Sequence, residues 1–92
     1  MTAEKIIEVL LLYKENLSSF RISKRADTST KNPLKQDVLN HCLYMIGEAE
    51  MFAKENRKDK AFRWLGFVQG CLWSSGVYTI EEIKNHNRPV VV

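Results

Sequence analysis

The chain has 92 residues, 45% of them hydrophobic, a net charge of +3 and two cysteines. That length holds one domain and leaves no room for two, and the apolar content excludes a disordered chain. A charge of this size suits phosphate-bearing partners but falls short of a dedicated DNA coat.

Residues 3–20, "AEKIIEVLLLYKENLSSF", predict a first helix with Thr2 as its N-cap. Ile6, Val9, Leu10, Tyr13, Leu17 and Phe20 recur at three- and four-residue spacing, which marks a buried stripe. Residues 21–32, "RISKRADTSTKN", break the period; they are basic and polar, a linker or a binding loop. Asn32-Pro33 is expected to restart helix, Asn as cap and Pro at the first helical position. Leu34, Val38, Cys42, Met45, Ala49 and Phe52 then give an amphipathic stripe reaching to about Asn56. Asp59 is expected to cap a third helix over 60–75, with Gly76 ending it in a left-handed conformation. Thr79 and Glu82 form a capping box, with Tyr78 and Ile83 as its hydrophobic staple, and Pro89 stops a short fourth helix at about Asn87.

The expected fold is therefore all-α: a small bundle built on a long antiparallel helical hairpin (33–76), with an N-terminal helix (1–20), a basic linker (21–32), a short capped helix (77–89) and a tail (90–92). No apolar run approaches a membrane span, and "MTAEKIIEV" carries acids where a secretory leader would carry bases. Cys42 and Cys71 lie in apolar helical patterns and read as small buried hydrophobes in a reduced, cytosolic compartment.

The third helix poses the main question. On a wheel of 100° per residue, Ala61, Leu65, Val68 and Leu72 form the core sector. Trp64, Phe67 and Cys71 lie to one side, Phe62, Gln69 and Trp73 to the other. The remaining sector holds Arg63, Gly66, Gly70 and Ser74. Each glycine costs a helix interior roughly 1 kcal/mol relative to Ala, so both need a reason. One is a close helix crossing of the small-xxx-small kind. The other is a ligand slot, in which an aromatic ring stacks a flat group and Arg63 pairs with a phosphate or carboxylate. Apolar coverage around most of this helix in so short a chain points to a homo-oligomer, with the helix near the interface. Gln69, among apolar neighbours, must find partners on a neighbouring helix, a second subunit or a ligand.

The expected ligand-binding set is Arg63, Trp64, Gly66, Gly70, Gln69 and Trp73. Lys24, Arg25, Lys60, His86 and Arg88 are candidate phosphate contacts, although a solvated loop and a helix C-terminus also account for such bases. The two histidines and two cysteines lack the close ligand pairs of structural zinc sites, so no metal or cofactor is expected. His41 and Cys42 are adjacent on a helix, point about 100° apart and cannot form a nucleophile–base pair; no enzyme is expected.

Residues 60–89, "KAFRWLGFVQGCLWSSGVYTIEEIKNHNRP", resemble a family of small tailed-phage and prophage proteins. That family shares an RWLGF-[IV]-QGxLW core and a following capped helix that ends in Asn-Arg-Pro or a close variant. The resemblance implies a self-associating helical hairpin. In size, helical class and aromatic-plus-arginine groove, the chain is also similar to the phage sponges that counter CBASS and Thoeris immunity. Those proteins sequester cyclic nucleotides at subunit interfaces without cleaving them. The leading expectation is thus a non-enzymatic anti-defence sponge for a nucleotide-type signal in the host cytoplasm. The alternatives are a protein-binding inhibitor or adaptor of a host factor, and a nucleic-acid-associated regulator using the basic linker.

Overall fold

The structure is a computed structural model and describes residues 1–18 and 28–89. Four helices follow in order: α1 (Ala3–Leu17), α2 (Lys35–Lys54), α3 (Lys58–Ser74) and α4 (Ile80–Asn87). There is no strand among the described residues, and no helix is long and apolar enough to cross a membrane. Phe20, the linker bases Arg21, Lys24 and Arg25, and the tail at 90–92 lie outside the described residues.

The helix ends follow from local chemistry. Thr2 caps α1 by accepting from the Lys5 amide. Thr79 and Glu82 form the reciprocal capping box that begins α4. Both α2 and α3 end in a left-handed residue. Asn56 has φ 61°, and the Arg57 amide reaches back to the Phe52 carbonyl at 2.8 Å. Gly76 has φ 77°, and Val77 reaches back to the Leu72 carbonyl at 2.9 Å. This pairing satisfies carbonyls that the helix itself leaves open.

Two expected starts shift. The second helix begins at Lys35, with Leu34 as N-cap and no side-chain capping bond, so Asn32 does not cap it. Leu34 itself is extended, with φ −66° and ψ 147°. Leu34 is then outside the helix and 69% exposed, so it leaves the buried stripe that its spacing suggested. Arg57 is the N-cap of α3, again without a side-chain bond, and Asp59 sits inside the first turn, where its charge favours the helix dipole.

The core is built from three helices. Ile6, Leu10, Tyr13 and Leu17 of α1 meet Leu39, Cys42, Ile46 and Ala49 of α2 and Ala61, Leu65, Val68 and Leu72 of α3. Full burial of each Leu or Ile contributes roughly 1.5–3 kcal/mol relative to exposure. The densest packing joins α2 to α3, then α1 to α2. The buried face of α2 keeps Cys42, Met45, Ala49 and Phe52 of the expected stripe and widens to Leu39, Ile46 and Ala53. From α4, only Ile83 is buried among its hydrophobic residues.

Candidate functional site

The sector assignment of α3 holds on the core side: Ala61, Leu65, Val68 and Leu72 are all buried. Its opposite side faces solvent. Phe62, Phe67 and Trp73 are 50, 55 and 53% exposed, and Arg63, Gly66, Gly70 and Ser74 lie between them. A Cβ built on Gly66 or Gly70 meets nothing within 4 Å. Among the described residues, then, no other helix makes the close crossing that the glycine pair suggested. Gly47 on α2 is likewise open, with exposed Tyr44 and Met51 three and four residues away.

The expected ligand set divides among three faces. Arg63, Gly66, Gly70 and Trp73 share the outer face of α3. Trp64 turns toward α2, where its ring meets Phe52 edge-on at 5.1 Å. Gln69 turns inward and is buried. Its Nε2 donates to the Tyr13 hydroxyl at 3.1 Å and to Asn87 Oδ1 at 2.7 Å, and Asn87 Nδ2 donates back to Gln69 Oε1 at 3.2 Å. Gln69 thus ties α3 to α1 and α4, and its amide is fully used inside the chain.

His86 belongs to the same network. The Tyr13 hydroxyl and His86 Nδ1 lie 2.9 Å apart. The Tyr13 hydroxyl, which accepts from Gln69 Nε2, pairs with Nδ1 in the direction that the imidazole tautomer sets. Burial lowers the His86 pKa; Glu82 opposes that shift and Lys5 adds to it. Burial pushes the Tyr13 phenol up to about 12, against the Gln69 hydrogen bond and with a smaller contribution from Tyr78. The rings of Tyr13, Tyr78 and His86 pack at 4.7–5.4 Å, and Tyr78 also hydrogen-bonds Asn16. His86 thus packs between α1 and the start of α4 through Tyr13 and Tyr78. Arg88 bonds Asn85 one turn back at 2.7 Å.

The remaining bases gather where α2 passes into α3. Asn56, Arg57, Lys58, Asp59, Lys60 and Arg63 line an open cleft of about 570 Å³. Arg57 lies 5.0 Å and Lys60 4.4 Å from the Phe52 ring centre, and Lys60 also approaches Trp64 at 5.7 Å. These cations cover ring faces at the end of the core while keeping their charge in water. Spacing alone pairs Lys60 with Arg63, whereas Arg57 joins them only through the left-handed turn at Asn56.

The cysteines meet across the α2–α3 contact. Burial pushes Cys42 up to about 12, with the neighbouring Cys71 adding to the shift, and burial also raises Cys71. A thiol held protonated is a poor nucleophile and a poor metal ligand. Cys71 shares a cleft of about 240 Å³ with Asp37, Val38, His41 and Phe67. His41 stacks on Tyr44 at 5.9 Å. Among the described residues no three His, Cys, Asp or Glu side chains gather as a metal site would require.

Comparison with protein-family models, curated proteins and solved structures finds no match. The chain's least explained feature is the outer face of α3. Two helix-weakening glycines there serve no contact among the described residues, and three large aromatic rings stand half in water beside them.

Proposed function

We propose that this is a non-enzymatic binding protein that works by helix-on-helix docking through the outer face of α3. Of the sequence-based expectations this is the protein-binding one. The observation that carries it is the open space at Gly66 and Gly70. Each glycine costs α3 roughly 1 kcal/mol, and no neighbour among the described residues requires it. A docked helix supplies the missing reason, since small residues let two backbones approach closely. Phe62, Phe67 and Trp73 provide the aromatic anchors that dominate such contacts. The α2–α3 pair, read as a hairpin, holds this face rigid from behind.

A photo-crosslinking side chain placed at Phe67, and separately at exposed Lys84 on α4, tests the reading in cells. A discrete protein adduct from position 67 that is absent from position 84 is expected. No adduct, or the same adducts from both positions, would overturn it.

Capture of a nucleotide-type signal is the second reading, supported by the cleft that gathers Arg57, Lys58, Lys60 and Arg63. Guanidinium and ammonium groups on one rim suit phosphate oxygens. The phage and prophage setting rests on the sequence resemblance. In this reading Arg63→Lys weakens binding of cyclic di- or trinucleotides, measured by calorimetry, while the melting temperature stays unchanged. The nucleic-acid reading depends on Lys24 and Arg25, outside the described residues.

A further inference from the structure

We infer that the outer face of α3 docks first on a second copy of itself, as an antiparallel pair related by a two-fold axis at the level of Val68. The inference rests on the helix-docking reading above and names its partner. It comes from the order of side chains along one exposed face.

A two-fold axis perpendicular to the helix, at the height of residue 68, brings residue 66 opposite residue 70 of the partner. Gly66 then faces the partner's Gly70, and Gly70 the partner's Gly66, so the two backbones meet where neither carries a side chain. Residue 63 falls opposite residue 73 in the same register. The partner's Trp73 comes level with Arg63 and within one residue, about 1.5 Å of rise, of Phe62.

The walls match as well as the heights. Phe62 and Trp73 border one edge of the glycine strip and Phe67 the other. The two-fold keeps each edge on its own side. It sets Phe62 against the partner's Trp73, twice, and Phe67 beside the partner's Phe67. Each exposed ring of α3 thereby gains an aromatic neighbour, and Arg63 gains a tryptophan face. A parallel pair would set Arg63 against the partner's Arg63 and leave Phe62 and Trp73 opposite the Phe67 edge at the wrong heights. Charge complementarity and ring order both select the antiparallel arrangement, which is isologous and closes at two copies.

The area sets the strength. Three half-exposed rings offer about 300 Å² per copy, against about 800 Å² per partner in a standard stable interface. Arg63, Ser74 and the glycine backbone add to this without closing the gap. The dimer is therefore a weak, reversible one that forms at micromolar concentration or above.

Two measurements test the arrangement. In sedimentation equilibrium the parent should dimerise, and Phe67→Asp, which sets two carboxylates side by side at the axis, should weaken dimerisation on the order of a hundredfold or more while circular dichroism stays unchanged. In oxidative crosslinking, Gly66→Cys mixed with Gly70→Cys should yield a covalent dimer that neither variant forms alone, with the parent as control for Cys42 and Cys71. A dimer crosslinked by either variant alone, or a Phe67→Asp that associates like the parent, would overturn the antiparallel register. A parent that stays monomeric at high micromolar concentration overturns the self-docking. Acrylamide quenching of Trp73, in a Trp64→Phe background, then separates the two claims. A monomer with quenchable Trp73 leaves the helix-docking reading intact, and a monomer with shielded Trp73 removes both.

Discussion

The side-chain amides of Gln69 and Asn87 pair in both directions, at 2.7 and 3.2 Å, and join α3 to the last residue of α4. Through Tyr13 the same bonds reach α1. Since α4 buries little of its apolar surface, this network and the Tyr13–Tyr78–His86 ring cluster hold it in place.

Gln69→Leu should accordingly destabilise the protein by about 1–3 kcal/mol, because it strands the Asn87 amide and removes the donor to Tyr13. Urea denaturation measures the loss. A double-mutant cycle with Asn87→Ala should show a coupling of about 0.5–3 kcal/mol, since the two side chains satisfy each other. A coupling near zero would mean the pair is not formed in solution.

His86 should make stability depend on pH in a defined direction. Its folded pKa lies below the ordinary 6.5, chiefly through burial, with Glu82 opposing and Lys5 assisting. Between the folded pKa and 6.5 the unfolded chain binds more protons, so stability rises with pH across that window. The contribution is full above 6.5 and is lost as pH falls through the window. Compared with the parent, His86→Gln should show a flatter stability profile in denaturant titrations from pH 5 to 7. A profile as steep as the parent's would place the titration elsewhere.

Gly76→Ala should cost about 1–2 kcal/mol, the penalty for a side chain in left-handed backbone. Space is not the cause, because a Cβ at Gly76 meets nothing within 4 Å at φ +77°. For a domain of this size each kcal/mol lowers the melting temperature by about 4–8 °C. Calorimetry that finds no change would mean the turn relaxes to another conformation.

Gly66→Ala and Gly70→Ala should do the opposite. Their surroundings are open, so each alanine should stabilise the monomer by about 0.5–1 kcal/mol through helix propensity. Binding through the α3 face should weaken in the same variants. Thermal unfolding at low concentration, where the chain is dispersed, reads the first effect, and sedimentation at high concentration reads the second. Stabilisation without any loss of association would remove the argument from the glycines.

Local chemistry was legible in the sequence wherever the cause lies within a few residues. The Thr79–Glu82 box, the Thr2 cap, the left-handed Gly76 and the core sector of α3 depend only on neighbours one turn away, and spacing reports them. The start of α2 misled for a related reason: Asn32-Pro33 is a sound capping pair, yet the chain stays extended through Leu34 before turning. The partners of Gln69 were a different matter. Its apolar neighbours announced that it needed hydrogen bonds, but Tyr13 lies 56 residues and Asn87 18 residues away. Only the packing of α1 and α4 against α3 decides which groups meet there. The open glycine face is likewise a tertiary fact. Sequence marks Gly66 and Gly70 as costly, and the fold decides that no helix of the same chain fills the space, because α1 and α2 are already committed to the opposite side of α3.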